Sequence, residues 1–185
     1  MSQENINRFK SKVNQGFARP NLFEVNMQFP DALKVPKEVR SNAQFLVRAA
    51  QIPSFQLGVI EVPYRGRTLK IAGDRTFEPW TVTVMNPGDF KLRNAFEDWI
   101  DHIQLPEANF QTGKGLDYFK DLRVHQLSRD TRTGKDAKRI RSYKFENCFP
   151  SNVSSIDLDY GNNDAIEEFT VEFQVQFSKA INEND

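Results

Sequence analysis

Apolar and polar residues alternate along much of this chain, and the alternation gives way to a helical repeat in one place. The cleanest run is Glu168–Phe177, with Phe169, Val171, Phe173, Val175 and Phe177 on one side and Glu168, Thr170, Glu172, Gln174 and Gln176 on the other. A period of two marks a strand with one buried and one wetted face. Trp80–Met85 repeats it, setting Trp80, Val82 and Val84 against Thr81, Thr83 and Met85. Phe23, Val25, Met27 and Phe29 alternate with Glu24, Asn26 and Gln28 until Pro30 ends that run. Further strands are predicted over Ala43–Ala49, Phe55–Tyr64, Thr68–Ala72, Tyr118–Leu127 and Lys138–Phe145. Arg65-Gly66-Arg67 and residues 130–136 then read as the turns of two hairpins.

After Met85 the period changes. Phe96, Trp99, Ile100 and Ile103 recur at i, i+3, i+4 and i+7, leaving Lys91, Arg93, Glu97, Asp98 and Asp101 largely to water. Asn86 is expected as the N-cap, Pro87 as the first helical residue and Asp89 as the acid that answers the positive helix end. The predicted fold is mainly β (α+β): an antiparallel β-sandwich or barrel-like domain with one flanking amphipathic helix over about 87–103. Neither an internal repeat nor a composition break divides the chain, so residues 1–185 read as one domain. A flexible N-terminal arm is expected over about 1–16, and an exposed excursion over about 30–42.

Composition sharpens this picture. With 38% hydrophobic residues and a mean hydropathy of −0.62, the chain has just enough apolar surface for a core, and 16 Phe concentrate it in a few large side chains. Lys plus Arg number 25 and Asp plus Glu 25, so no net charge draws the chain to nucleic acid or anionic membranes. The lone Cys148 excludes an internal disulfide and fits a reducing compartment. The first ten residues lack an apolar signal core, and no window reaches the roughly 20 apolar residues of a membrane span. Synthesis in the cytoplasm is expected.

The charges are unevenly placed. Between Arg129 and Lys144 seven bases (Arg129, Arg132, Lys135, Lys138, Arg139, Arg141, Lys144) face two acids, whereas Glu146–Asp185 holds nine acids and Lys179 alone. These poles are either solvated faces or complementary surfaces through which like subunits associate head to tail, and the sequence leaves both readings open.

Candidates for chemistry fall away one by one. His102 and His125 have no Cys, Ser or second His at a spacing that builds a triad or zinc site. Gly134-Lys135 lacks the glycine five places earlier that a phosphate loop needs, since Arg129 stands there. Asp157–Glu168 has acids at positions 1, 3 and 12 of a calcium loop, but Gly161 and Asn162 fill positions 5 and 6, the wrong order for its sharp turn. A turn using left-handed conformations around Gly161-Asn162-Asn163 accounts for the same letters. No enzyme, metal site or cofactor is expected.

Three blocks carry a resemblance. Phe17-Ala-Arg-Pro-Asn-Leu-Phe-Glu-Val25, the long Ala72-Gly-Asp-Arg-Thr-Phe-Glu-Pro-Trp-Thr-Val-Thr-Val-Met-Asn86 with its following helix, and Phe149-Pro-Ser-Asn-Val-Ser-Ser-Ile-Asp-Leu-Asp159 resemble, in order, the tail tube family of T4-type contractile phages. This sequence departs from the family mainly through longer excursions at Pro30–Asn42 and Leu105–Gly115. The resemblance implies a structural virion protein whose hexameric rings stack into the inner tube of a contractile tail. The implied partners are further copies of itself, the tail sheath protein, baseplate hub and tube-initiator proteins, the tape-measure protein, the tail terminator, and DNA as transient cargo in the lumen. On this reading Glu168, Thr170, Glu172, Gln174 and Gln176 are expected to face the lumen, where a wall poor in Lys and Arg lets DNA slide. Gly73, Asp74, Arg75, Arg132 and Lys135 are expected at subunit or ring contacts, together with the N-terminal arm and the excursion after Pro30. Two alternatives remain: a baseplate relative that starts or caps the tube, and a small-molecule-binding β-barrel.

Overall fold

The computed structural model describes residues 3–12, 17–105, 116–129 and 139–181. Its elements run α1 (Gln3–Lys12), β1 (Phe23–Asn26), α2 (Lys37–Leu46), β2 (Val47–Ala50), β3 (Gln56–Tyr64), β4 (Arg67–Thr76), β5 (Trp80–Met85), α3 (Lys91–Ile103), β6 (Lys120–Leu127), β7 (Arg139–Val153), β8 (Glu168–Gln174) and β9 (Phe177–Ile181). Every strand pairing is antiparallel. The main sheet has seven strands, ordered β1-β6-β7-β8-β5-β2, with β9 also on β7, while β3 and β4 form a sheet of their own. The predicted antiparallel, mainly β architecture is present, and the sheet does not close into a barrel.

The long strand β7 turns the corner between two half-sheets. Its first part pairs β6 and β9, and its last part, Phe149–Val153, pairs β8. Because Glu146 opposes Phe177 and Phe149 opposes Gln174, residues 147–148 stand against 175–176, and Asn147 takes φ 54. The register is the same on either side of this gap, but no ladder pair forms within it. The single strand expected over Glu168–Phe177 is therefore two, and Phe177 is exposed rather than in the core.

The core fills the angle between the half-sheets. Trp80, Val82, Val84, Phe169, Val171 and Phe173 line one side and Val25, Leu122, Val124 and Phe145 the other, all buried. Trp80 stacks on Phe145 at 4.3 Å between ring centroids, and its indole N–H donates to the Gln51 carbonyl at 2.7 Å. Helix α3 covers this core with Leu92, Ala95, Phe96 and Trp99, a buried stripe one turn earlier than predicted, since Ile100 and Ile103 are only half-buried. Phe96 meets Phe169 and Phe173 edge-on, the geometry that ring quadrupoles favour. Arg93 is not left to water: its guanidinium lies 5.3 Å over the Phe169 ring and donates to the Ser154 carbonyl and Glu97. Cys148 is fully buried, and desolvation pushes its thiol up to about 12.

Five local expectations need correction. The helix begins at Lys91, not Pro87, after a Pro87–Phe90 turn in which Phe90 takes φ 55 and Asp89 Oδ1 accepts the Lys91 N–H. Asn86 does not cap it: its backbone and side-chain amides both donate to Glu167, which holds it four residues short of the helix's first turn, and its Oδ1 meets no helix N–H. Residues 43–46, read as strand, belong to α2, where Val39 and Ala43 are buried four apart and Phe45 faces solvent; only Val47–Ala50 is strand. Among the described residues there are three helices rather than one, since α2 begins within the expected excursion and residues 3–12 of the expected arm form α1. The turn at Asp159–Asn162 uses no positive φ; Asp159 instead accepts the Gly161 N–H at 2.9 Å.

Candidate functional site

Three exposed surfaces stand out on this frame. The first is the polar side of β8. Glu168, Thr170, Glu172 and Gln174 alternate there with the buried Phe169, Val171 and Phe173. Register places Thr81 beside Glu172 and Thr83 beside Thr170, so two strands present one hydroxyl- and carboxylate-bearing face. Gln174 donates to Ser151 at 3.2 Å, and Glu168 pairs with Arg48 across the sheet. Four of the five residues expected on this face share it. Gln176 does not, because the break opposite Asn147 takes it off the ladder into an exposed bend.

The second surface is the β3–β4 hairpin. It runs from Gln56–Thr76 at its root to Tyr64–Arg67 at its tip, where Arg65 (φ 46) and Gly66 (φ 82) make the left-handed two-residue turn that suits strand twist. Leu57, Val59, Ile60, Val62, Leu69 and Ile71 are all exposed, on both faces of the ribbon. Gly73 and Asp74 lie in β4, which continues to Thr76 beyond the strand expected to end at Ala72. At Gly73 an added Cβ would meet the Gly58 backbone at 3.1 Å, so the glycine pair permits a close approach where the register slips between Leu57 and Val59. Arg75 serves the root: its guanidinium lies over Phe55 at 4.7 Å and Phe77 at 5.0 Å. Arg132 and Lys135 lie outside the described residues.

The third surface, the 155–167 loop between β7 and β8, was read from sequence only as a turn. It exposes Leu158, Tyr160 and Ile166 beside Asp157, Asp159 and Asp164, and curves around a concavity of about 650 Å³. Two backbone bonds, Ser154 N–H to the Thr170 carbonyl and Asn86 N–H to the Glu167 carbonyl, both 2.8 Å, pin it to the sheet. The basic pole is partly neutralised. Lys144 lies 2.6 Å from Asp121 and 3.2 Å from Glu146, which in turn holds Lys179 at 2.7 Å. Hydrogen bonding to Asp121 foremost raises the Lys144 ammonium above its ordinary range, and bonding to Lys179 foremost lowers the Glu146 carboxyl.

Neither histidine sits in a catalytic arrangement. His125 Nδ1 is 2.7 Å from Ser142 Oγ in a buried pair, and burial lowers its pKa; His102 lies 3.4 Å from Asp117. Among the described residues no group of three or more His, Cys, Asp or Glu is placed to hold a metal ion, and no helix is long and apolar enough to cross a membrane.

This combination of a split antiparallel sheet, a flanking helix and uncovered ribbon matches known proteins. The family described as phage tail tube protein matches residues 18–178. The chain belongs to that family. It is 33% identical to the tail tube protein of Enterobacteria phage T4 over 162 residues, 87% of this chain and 90% of the relative. It is also 26% identical to the tail tube protein of Serratia phage KSP90, over 91% of this chain and 93% of the relative. Among solved structures, the fold is shared with a chain of the anti-feeding prophage baseplate, at TM-score 0.64 and 15% identity, covering 89% of this chain and 95% of that one. Phage tail tube proteins are structural components of the virion tail and not enzymes, and this chain, as a member, is the same.

Proposed function

We propose that copies of this chain join into hexameric rings, that the rings stack into the inner tube of a contractile tail, and that the polar side of β8 lines the channel through which DNA leaves. The observation that carries this reading is a sheet greasy on one side and wettable on the other, whose terminal strands β1 and β2 each pair on one side only. A neighbouring copy can extend such a sheet and spread the wall around a ring. Glu168, Thr170, Glu172 and Gln174 carry no cation, and the Arg48 guanidinium beside them is paired with Glu168, so stacked rings add few phosphate contacts that would hold DNA. Sheath, baseplate, tape-measure and terminator proteins are the partners this role requires.

Negative-stain imaging of purified protein tests assembly: long tubes of stacked rings are expected, and rings that stop after one or two layers would point instead to a tube initiator. The lumen assignment is tested by Glu172→Lys in assembled virions. Slowed or incomplete DNA ejection is expected, and ejection at the normal rate would remove Glu172 from the channel wall.

A further inference from the structure

The hairpin and the 155–167 loop lie at opposite ends of the same half-sheet. Strand β5 starts at Trp80, directly after the hairpin's return strand, and β2 ends at Ala50, opposite Val82, directly before the hairpin departs. The other end of β5, Met85, pairs with Glu168, where the acidic loop enters β8. Strand direction thus defines an axis with a projecting ribbon at one end and a cup at the other. A heterologous, head-to-tail contact along such an axis repeats without closing, as a stack must.

The chemistry of the two ends is complementary. At the tip, Arg65 and Arg67 make no ion pair among the described residues, and Tyr64 and Leu69 are exposed. At the cup, the segment from Ser155 to Glu168 holds five acids and no base. Leu158 is 87% exposed and Ile166 69%, so apolar surface is available to meet the ribbon's own. We propose that the β3–β4 hairpin tip of one copy seats in the 155–167 cup of a second copy in the adjoining layer, with Arg65 and Arg67 answering Asp157 and its acidic neighbours. This rests on the stacked-ring reading and names the surface that receives the ribbon. At ~3.3 Å per residue the nine residues of β3 carry the tip ~30 Å from the hairpin root.

Charge reversal tests the pairing. Two variants are made, R65E/R67E on the ribbon and D157R/D164R on the cup, together with the chain carrying all four changes. Sedimentation and negative-stain imaging measure the fraction in tubes, and circular dichroism confirms the unchanged body. Each reversal alone is expected to cut the tube fraction by about tenfold or more, because like charges then face each other. The four-change chain is expected to recover to within about threefold of the parent, and a mixture of the two reversed proteins to copolymerise. If the four-change chain stays as defective as either parent variant and the mixture forms no tubes, the pairing is wrong, although stacking through another surface stands. If a chain with residues 56–76 replaced by a short turn still builds full-length tubes, the hairpin has no role in stacking, and the pairing falls with it.

Discussion

The body of the molecule and its β3–β4 hairpin have similar strand letters and opposite fates. In the body, Trp80, Phe145, Phe169 and Phe173 are buried against one another and against α3. In the hairpin, Val59, Ile60, Val62 and Ile71 are at least 39% exposed, and the ribbon pairs only with itself. A two-stranded ribbon alone is marginal in water, and an edge this apolar invites another chain. The body carries the stability of one copy, while the hairpin carries apolar surface that nothing among the described residues covers.

The comparison breaks first in the core. Phe173→Ala removes a ring that contacts Trp80, Phe96 and Trp99. A loss of about 3–5 kcal/mol is expected, read as a fall in melting temperature. A similar loss from an apolar hairpin position would erase the distinction. Next comes Gly66→Val at the tip, where φ is +82 and a β-branched residue is strained by about 1–2 kcal/mol. Hydrogen exchange should show the hairpin amides lose what protection they have while the body melts unchanged, because the two open as separate units.

A smaller effect sharpens the electrostatic side. The Glu146 carboxyl is held below its ordinary 4.5 and the Lys144 ammonium above its ordinary 10.5. An acid lowered in the fold stabilises it above its ordinary value and loses that benefit as pH falls through the folded value; a raised base mirrors this at high pH. Their contribution is therefore complete between about 4.5 and 10.5. Glu146→Gln should cost the body about 0.5–1 kcal/mol at neutral pH, with the difference from the parent shrinking in thermal melts as pH falls below about 4.5. The smallest stability effect belongs to Ile71→Thr on the hairpin, within about 0.5 kcal/mol for the isolated copy. Its tube yield should nonetheless fall clearly below that of the parent.

Much of the body was legible because its strands bury one face, so burial wrote itself into a period of two at Trp80–Val84 and Phe169–Phe173. The α2 segment was misread because Ala43, Phe45 and Val47 also alternate, and nothing local reveals that Phe45 faces water while Val39 and Ala43 pack a turn apart. The helix start was missed because Asn86 has good cap chemistry but is bound to Glu167, a residue 81 positions away. The hairpin carried its own signal. Val59 and Ile60 are adjacent, so both faces are apolar, a pattern expected of strands covered on both sides. Among the described residues no second layer covers them, and both faces are exposed. The cup could not be found by periodicity, since Ile156, Leu158 and Tyr160 alternate with Asp157 and Asp159 as a strand would, yet the segment is a loop that exposes Leu158 and Tyr160.

The sealed position of Cys148 has a practical consequence. At a pKa of about 12 it offers almost no thiolate near neutrality, so air will not couple one copy to another through sulfur. A maleimide dye added to Thr68→Cys would report from the ribbon alone, letting fluorescence test the proposed assembly without first removing the native thiol.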